Sequence, residues 1–124
     1  MSLKMLGIFV VVLLLIAAGI FYFSSSTSGP GLHDEFAKCL NEKGVKFYGA
    51  FWCPHCNKEK ALFGNSMKYV NYIECSTPDG QGQLPVCSAA GIGSYPTWEF
   101  ADGARVNGEL SLEDLASKTG CKLS

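Results

Sequence analysis

The sequence predicts an α/β fold, a small mixed four-stranded sheet flanked by helices, preceded by one transmembrane helix. Three observations lead to this prediction. Residues 5–23 contain no charged side chain. After them, apolar segments with helical spacing alternate with short apolar segments typical of strands. An Asp-Gly pair at 102–103 then joins two such strands as a hairpin, which gives the sheet an antiparallel edge.

The apolar segment 5–23 predicts a transmembrane signal anchor. Its nineteen residues would span about 28 Å as a helix, close to the thickness of the hydrocarbon core. Lys4 precedes the segment, so the positive-inside tendency places residues 1–4 in the cytoplasm and the chain after Ser24 outside it. Residues 24–31, rich in Ser and Gly, predict a flexible tether. A cleaved signal peptide is the alternative, although its apolar core is usually only about 7–15 residues long.

Residues 32–124 form the predicted globular domain, whose first half reads as helix, strand, helix, strand. The segment "LHDEFAKCLNEKG" has helical spacing and ends at Gly44, and "VKFYGAFW" is apolar enough for a central strand. Pro54 suits the first turn of the second helix because its missing N–H has no partner there. That helix is expected to run to about Lys68, and "YVNYIEC" is the second strand.

The second half reads as short helix, strand, strand, helix. The segments are "LPVCSAAG", "SYPTWEFA", "ARVNGEL" and "SLEDLASKTG". Ser111 is the expected N-cap of the last helix, with Asp114 three residues on, and Gly120 ends it. The two crossovers between strands predict parallel neighbours, in contrast to the antiparallel hairpin.

Charge and cysteine content limit the classes of function. Ten Lys and Arg against eleven Asp and Glu give a net charge of −1, without a basic cluster. Nucleic-acid binding therefore has no electrostatic basis in this chain. All six cysteines lie within residues 32–124. An even number in a small exported domain predicts disulfides, which persist outside the cytoplasm.

The stretch "GAFWCPHCNKEK" places two cysteines where a strand ends and a helix begins. Cys53 falls at the helix N-terminus, where unpaired amides and the helix dipole stabilise a thiolate. Cys56 lies one turn later on the same face and can close a disulfide with Cys53. We therefore expect Cys53 to attack and Cys56 to resolve. The Cys53–Cys56 disulfide would be the redox group, with no other cofactor.

His55, between the two cysteines, bears on the direction of electron transfer. Beside the thiolate it can donate a hydrogen bond or carry a positive charge, which stabilises the reduced form. A stabilised reduced form makes the disulfide more oxidising. Cys53, Pro54, His55 and Cys56 are thus the predicted catalytic residues of this stretch. As an ordinary exposed helix residue, His55 would have no such role.

Two other uses of the cysteine pair were weighed against redox chemistry. A zinc site takes four ligands, commonly from two such pairs, and the chain has no second CxxC and only two histidines. No metal site is therefore predicted. A purely structural disulfide between Cys53 and Cys56 would close a very small loop and stabilise little. A disulfide-stapled binding module with an idle CxxC remains an alternative function.

The segment "WCPHC" at 52–56 resembles the active site of thioredoxin-fold oxidoreductases, and its Pro-His dipeptide is that of the DsbA type. The segment "SYPTW" at 94–98 is similar to the cis-proline loop that faces this motif, with Pro96 as the proline. Over residues 32–120 the chain resembles the thioredoxin-like domain fused to bacterial homologues of vitamin K epoxide reductase. The segments that carry this likeness are "YGAFWCPHC", "YIECS", "AAGIGSYPTW" and "SLEDLA".

The resemblance implies a thioredoxin-like fold and a defined substrate surface. Pro96 joins the catalytic residues, and Trp52, Tyr95 and Thr97 are the implied substrate-binding residues. A backbone edge at Tyr95 could pair with an extended substrate strand. Typical thioredoxins carry a buried acid six residues before the first active cysteine, and Phe47 stands there in this chain. The residue that accepts the proton of Cys56 is therefore not identified by the resemblance.

The resemblance also implies partners and an overall function. Reduced exported proteins are the implied substrates, and a quinone-linked membrane protein of the vitamin K epoxide reductase or DsbB kind is the implied reoxidising partner. We expect a monomeric, single-pass protein of the cell membrane whose domain faces the extracytoplasmic side and oxidises exported cysteines. The alternative enzyme is a disulfide reductase or isomerase fed by a transmembrane electron carrier.

The other four cysteines allow three connectivities. The related fused domains have cysteines at the positions of Cys75 and Cys87, so the resemblance favours a structural disulfide between these two. Cys39 and Cys121 are then paired by elimination, which would tie the two ends of the domain. A second redox couple at Cys75 and Cys87 is the alternative.

Overall fold

A computed structural model of the chain describes residues 2–23 and 29–123. The first described element is helix α1 (Leu3–Phe23). Its Leu3–Ile20 stretch is long and apolar enough to cross a membrane, by length and composition. The predicted tether, residues 24–31, lies mostly outside the described residues. The membrane anchor and its sidedness therefore remain predictions.

The domain that follows contains the predicted elements in the predicted order, with one additional short helix. They are α2 (Asp34–Glu42), β1 (Lys46–Gly49), α3 (Pro54–Phe63), a 3₁₀ helix (Gly64–Tyr69), β2 (Tyr72–Glu74), α4 (Pro85–Ala89), β3 (Thr97–Glu99), β4 (Arg105–Asn107) and α5 (Leu112–Thr119). The 3₁₀ helix occupies the end of the predicted second helix. That helix ends at Phe63 because Gly64 adopts a positive φ of 52°, which a continuing helix does not allow.

The four strands form one mixed sheet in the order β2-β1-β3-β4. Strand β1 is parallel to β2 and antiparallel to β3, and β3 is antiparallel to β4. This order, with α3 crossing from β1 to β2, is the arrangement of a thioredoxin-like fold. The predicted hairpin is confirmed.

The prediction of two parallel crossovers is wrong for the second one. The segment between β2 and β3 contains only α4, whose five residues rise about 7.5 Å, too little to carry the chain back along the sheet. The segment instead folds against the end of β2, where the Leu84 N–H donates to the Cys75 carbonyl at 2.7 Å. Strand β3 therefore starts near the edge at which β2 ends and runs antiparallel to β1.

An aromatic core fixes the position of α3 on the sheet. Phe47 of β1 stacks on Trp98 of β3 with ring centroids 4.5 Å apart. Phe63, at the end of α3, lies 6.3 Å from Trp98 and 6.2 Å from Phe36 of α2. Such aromatic pairs contribute beyond their buried area. The start of α3, and with it the cysteine pair, is thereby held at the end of β1.

Two disulfides tie the periphery to this core. Cys39 of α2 is joined to Cys121 after α5, and Cys75 after β2 is joined to Cys87 of α4. This is the pairing expected from the sequence. The last helix also begins and ends as expected: the Ser111 hydroxyl accepts the Asp114 N–H at 3.0 Å, and Gly120 has a left-handed conformation.

Candidate active site

Cys53 and Cys56 are the two free cysteines, and both lie at the start of α3. Strand β1 stops at Gly49, earlier than predicted, because Phe51 and Trp52 form the turn that leads into the helix. Cys53 is the N-cap residue, and its Sγ accepts the Cys56 N–H at 3.3 Å. A backbone amide thus points at the sulfur, which is the arrangement that stabilises a thiolate.

The two sulfurs differ in environment. Cys53 is 4% exposed and Cys56 is fully buried. Burial, together with the neighbouring Cys53, raises the pKa of the Cys56 thiol to about 12. Cys56 therefore keeps its proton at neutral pH. This asymmetry suits an attacking Cys53 and a resolving Cys56, the roles predicted from the sequence.

The loop before β3 covers Cys53. The Tyr95–Pro96 peptide bond is cis, as the resemblance implied, and the Tyr95 carbonyl oxygen lies 3.7 Å from Cys53 Sγ. Trp52, half exposed, meets the Tyr95 ring edge-to-face at 6.0 Å and donates its Nε1–H to the Ser76 hydroxyl at 3.0 Å. The structure thus brings Trp52, Tyr95 and Pro96 together around the sulfur. Their roles toward a substrate stay predictions.

Thr97, whose predicted substrate-binding role stays a prediction, turns its side chain into the domain. The residue is buried, and its hydroxyl is engaged with the Ser94 carbonyl at 2.8 Å and with Asn107 Oδ1 at 2.9 Å. Thr97 is the cross-strand partner of Asn107, so the two side chains lie on the same face of the sheet and reach each other there. Thr97 therefore holds the proline loop in shape.

His55 is 63% exposed, and its hydrogen-bond partner is not Cys53. Its Nδ1 lies 3.0 Å from Glu109 Oε2, and Lys58 Nζ lies 3.8 Å from the other oxygen of the same carboxylate. The predicted hydrogen bond from His55 to the thiolate is thus absent from this arrangement. When protonated, His55 still adds positive charge in the first turn of α3, two residues after Cys53.

Sequence reasoning missed two residues of β2 that lie beside Cys56. A Cβ atom on Gly49 would fall 3.1 Å from Cys56 Sγ and 3.2 Å from the Tyr72 hydroxyl oxygen, so both atoms border the same space. The Tyr72 hydroxyl donates to Glu74 Oε2 at 2.9 Å. The parallel pairing of β1 with β2 brings these residues to the active-site end. The β1–α3–β2 crossover was the sequence signal for this, because parallel neighbours end at the same edge of a sheet.

A buried carboxyl group, Glu59, was also missed. It lies on α3 with 1% exposure, and its Oε1 accepts the Leu110 N–H. Its Oε2 has no hydrogen-bond partner within residues 29–123. Burial raises the pKa of Glu59 to about 7, against the lowering effect of the Leu110 hydrogen bond. The spacing of Cys56, Glu59 and Phe63 along one helix face was the available signal.

Among the described residues, no group of three or more His, Cys, Asp and Glu side chains is arranged to hold a metal ion. The site consists of two thiols, backbone amides and aromatic rings. These groups support thiol–disulfide exchange, in which a thiolate attacks a disulfide sulfur.

Comparison with known proteins yields two relatives and a structural neighbour. The chain is 43% identical over 104 residues to Thiol-disulfide oxidoreductase LTO1 of Arabidopsis thaliana, which covers 80% of this chain. It is 32% identical over 92 residues to Protein disulfide isomerase-like 5-1 of Oryza sativa subsp. japonica, which covers 66% of this chain. No protein-family model matches the chain.

The matches cover only part of the relatives. The chain spans 27% of the length of the Arabidopsis protein and 63% of that of the rice protein. Among solved structures, the oxidised form of mitochondrial thioredoxin 3 from Saccharomyces cerevisiae is similar at 16% identity with a TM-score of 0.35. That likeness covers 62% of this chain and 74% of the yeast protein. The fold assignment rests on the sheet order and strand directions and not on this neighbour.

Proposed function

We propose that this thioredoxin-like chain is a membrane-anchored thiol–disulfide oxidoreductase that oxidises cysteines of exported proteins. The fold, the free cysteine pair and the names of the two relatives support a thioredoxin-like oxidoreductase. The direction of transfer, the membrane anchor and the reoxidising partner are the finer parts of the proposal. One observation carries it: Cys53 Sγ caps α3, accepts the Cys56 N–H and lies beside the Tyr95 carbonyl.

The exchange proceeds in two attacks, the first at Cys53 and the second at the client sulfur that is then bonded to Cys53. A client thiolate attacks Cys53 Sγ of the Cys53–Cys56 disulfide, and the electron pair of the broken bond goes to Cys56, which takes up a proton. A second client thiolate then attacks the client sulfur of the mixed disulfide, so the client leaves oxidised and Cys53 leaves as a thiolate. The start of α3 stabilises that thiolate, which favours electron transfer from the client to the protein. The disulfide is the whole redox group, and no further cofactor is needed.

The finer proposal concerns membrane and partner. Helix α1 would anchor the domain on the extracytoplasmic side, where exported proteins carry reduced cysteines and where disulfides persist. The reduced pair would then pass its two electrons to a membrane protein of the vitamin K epoxide reductase or DsbB kind. The exposed rings of Phe51 and Trp52, both about half accessible, give an unfolded client an apolar surface next to Cys53.

A trapping experiment tests whether the pair reacts at all. The oxidation step needs only Cys53 to bond to a client, and Cys56 releases stalled complexes by attacking Cys53. In the full chain in detergent micelles, the Cys53 thiolate of Cys56→Ala attacks a client disulfide and releases one client thiolate, so this variant should accumulate mixed disulfides with scrambled, disulfide-containing ribonuclease A on non-reducing gels. The matched variant Cys53→Ala should accumulate none. Equal trapping by both variants, or by neither, would show that the pair is idle, as in a disulfide-stapled binding module.

The reduction potential decides the direction. Equilibration with glutathione buffers should give the Cys53–Cys56 couple a potential of about −180 to −120 mV, the range of disulfide donors. The name of the rice relative favours isomerase activity as a second candidate, and isomerases lie at the negative end of that range. A value near about −270 mV would identify a reductase and contradict the oxidase proposal.

A further inference from the structure

The Cys56 thiol must lose a proton during the reaction, and this chain has no acid at the position where typical thioredoxins carry a buried one. Each time the active-site disulfide closes, Cys56 attacks Cys53 as a thiolate, so its thiol must first give up a proton. Cys56 is fully buried, and burial raises its pKa to about 12. The place of the buried acid of typical thioredoxins is taken by Phe47, which packs edge-to-face on Tyr72 at 5.1 Å.

The hydroxyl of Tyr72 lies in the space that Cys56 faces. The Cβ position of Gly49 is 3.1 Å from Cys56 Sγ and 3.2 Å from the Tyr72 oxygen, so these two atoms are at most about 6.3 Å apart. Direct contact or a single bridging water spans such a gap. Gly49 keeps the space open, because any side chain there would also meet the Tyr72 ring at 2.9 Å.

The Tyr72 hydroxyl points its own proton at Glu74. It donates to Glu74 Oε2 at 2.9 Å, which leaves its oxygen lone pairs free to accept from another donor. Glu74 is held by two backbone amides: Oε1 accepts the Phe51 N–H at 2.8 Å, and Oε2 accepts the Cys75 N–H at 3.1 Å. Glu74 is partly exposed, so a proton that reaches it can pass on to water.

The charged and titratable groups that face Cys56 or share its helix face come from two elements. Cys53 caps α3, the buried Glu59 and Lys60 lie on α3, and Tyr72 and Glu74 lie on β2. Lys60 Nζ lies over the Tyr72 ring, 3.9 Å from its centroid, and its positive charge favours the Cys56 thiolate. A cation on one side and a carboxylate behind Tyr72 together favour movement of a proton from sulfur toward Glu74.

We propose that Tyr72 and Glu74 form the proton relay of Cys56. This assignment rests on the proposed function, because it concerns closure of the same disulfide. The Cys56 S–H proton passes to the Tyr72 oxygen while the Tyr72 O–H proton passes to Glu74 Oε2. The electron pair left on Cys56 Sγ forms the bond to Cys53 Sγ, and the partner sulfur leaves Cys53 with the electron pair of the mixed disulfide. In the reverse reaction the same groups return the proton to Cys56.

A two-phase stopped-flow experiment tests the relay apart from the function. The full chain in detergent micelles, reduced only at Cys53 and Cys56, is mixed with 5,5′-dithiobis(2-nitrobenzoate) between pH 5 and 9. The first release of thionitrobenzoate reports attack by Cys53, and the second reports closure by Cys56. Tyr72→Phe should slow the second release at least about tenfold at neutral pH and move its pH profile upward. The first release should not change.

Matched variants keep the result decisive. Tyr69→Phe and Glu99→Gln remove a hydroxyl and a charge elsewhere in the domain and should alter neither phase. Glu74→Gln keeps an amide oxygen for the backbone but not the proton acceptor, and should slow the second phase as well. If Tyr72→Phe does not fold, the second phase of Glu74→Gln tests the relay instead. An unchanged second phase in folded variants, or equal slowing in the matched variants, overturns the relay. Loss of the first phase in the parent chain would instead overturn the proposed function.

Discussion

The start of α3 and the join between α2 and the C-terminal segment each hold two cysteines. Cys53 and Cys56 are three residues apart, and an amide of the same turn points at the first sulfur. Cys39 and Cys121 are 82 residues apart and are bonded to each other. A disulfide stabilises a protein by removing conformational entropy from the unfolded chain, and the amount removed grows with the length of the closed loop. A disulfide between Cys53 and Cys56 therefore stabilises little, and the one between Cys39 and Cys121 stabilises much.

The contrast between the two pairs shows that the backbone around a cysteine determines whether its sulfur is reactive or structural. A pair that contributes little to stability can cycle between thiol and disulfide without unfolding the domain. The turn after β1 places Cys53 at a helix start, where its anion is stabilised, and leaves Cys56 inside, where it is not. Cys39 and Cys121 are bonded to each other, and their disulfide joins α2 to the C-terminal segment.

Breaking the long tie should give the largest change in stability. We expect the double variant Cys39→Ser, Cys121→Ser to lose about 4–5 kcal/mol of unfolding free energy, because a loop of about that length is released. Denaturant unfolding at low temperature measures the loss. At a temperature where the variant is still folded, the rate at which Cys53 is alkylated should equal that of the parent.

The shorter tie supplies the control. Cys75→Ser, Cys87→Ser opens a loop with a sequence separation of 12 and should lose less, about 3 kcal/mol. A loss no greater for the long tie than for the short one would refute the loop-length account. Slower alkylation of Cys53 in the folded Cys39 and Cys121 variant would show that the two regions are not separate.

Substitution of Glu59 should give a smaller, pH-dependent change in unfolding free energy without a change in the reactivity of Cys53. Its folded pKa of about 7 lies above its ordinary value of 4.5, so the folded state binds a proton more tightly than the unfolded state. This tighter proton binding adds to the unfolding free energy; the contribution is complete below about pH 4.5 and is lost as the pH rises to about 7. Glu59→Gln removes the cost of the buried charge and should make the protein more stable than the parent at pH 8, by up to about 3 kcal/mol.

Unfolding curves at pH 5 and pH 8 check this expectation. The advantage of Glu59→Gln should be clearly larger at pH 8, and the exposed control Glu113→Gln should show no such dependence. Because the residue serves the fold in this account, alkylation of Cys53 should not change in the variant. An equal effect at both pH values would mean that Glu59 is not a buried acid that ionises near neutrality.

The sequence was sufficient for the fold class and for the central residues of the site. Helical spacing, the Asp-Gly hairpin and the CPHC motif predicted the element order and the cysteine pair at a helix start, and the resemblance of "SYPTW" to a cis-proline loop implied the place of Pro96. These features are local, so each is written in a few consecutive residues. The two disulfides agreed with expectations drawn from the resemblance and from elimination.

The remainder depended on contacts between distant segments. The direction of β3 followed from how a short helix folds back on β2, which spacing does not encode. Thr97 is bonded to its cross-strand partner on β4, and Glu59, which the local sequence does not single out, lies on a buried helix face. Tyr72 and Glu74 reach Cys56 only through the pairing of β1 with β2.

The central claim is that Cys53, and not Cys56, is the sulfur that reacts first at neutral pH. Alkylation of the reduced full chain with iodoacetamide, followed by mass spectrometry of the two sites between pH 4 and 10, measures it directly. The account predicts that Cys53 is alkylated at neutral pH, while Cys56 stays unreactive up to the highest pH at which the protein is folded. Alkylation of Cys56 as fast as that of Cys53 at neutral pH would contradict the account.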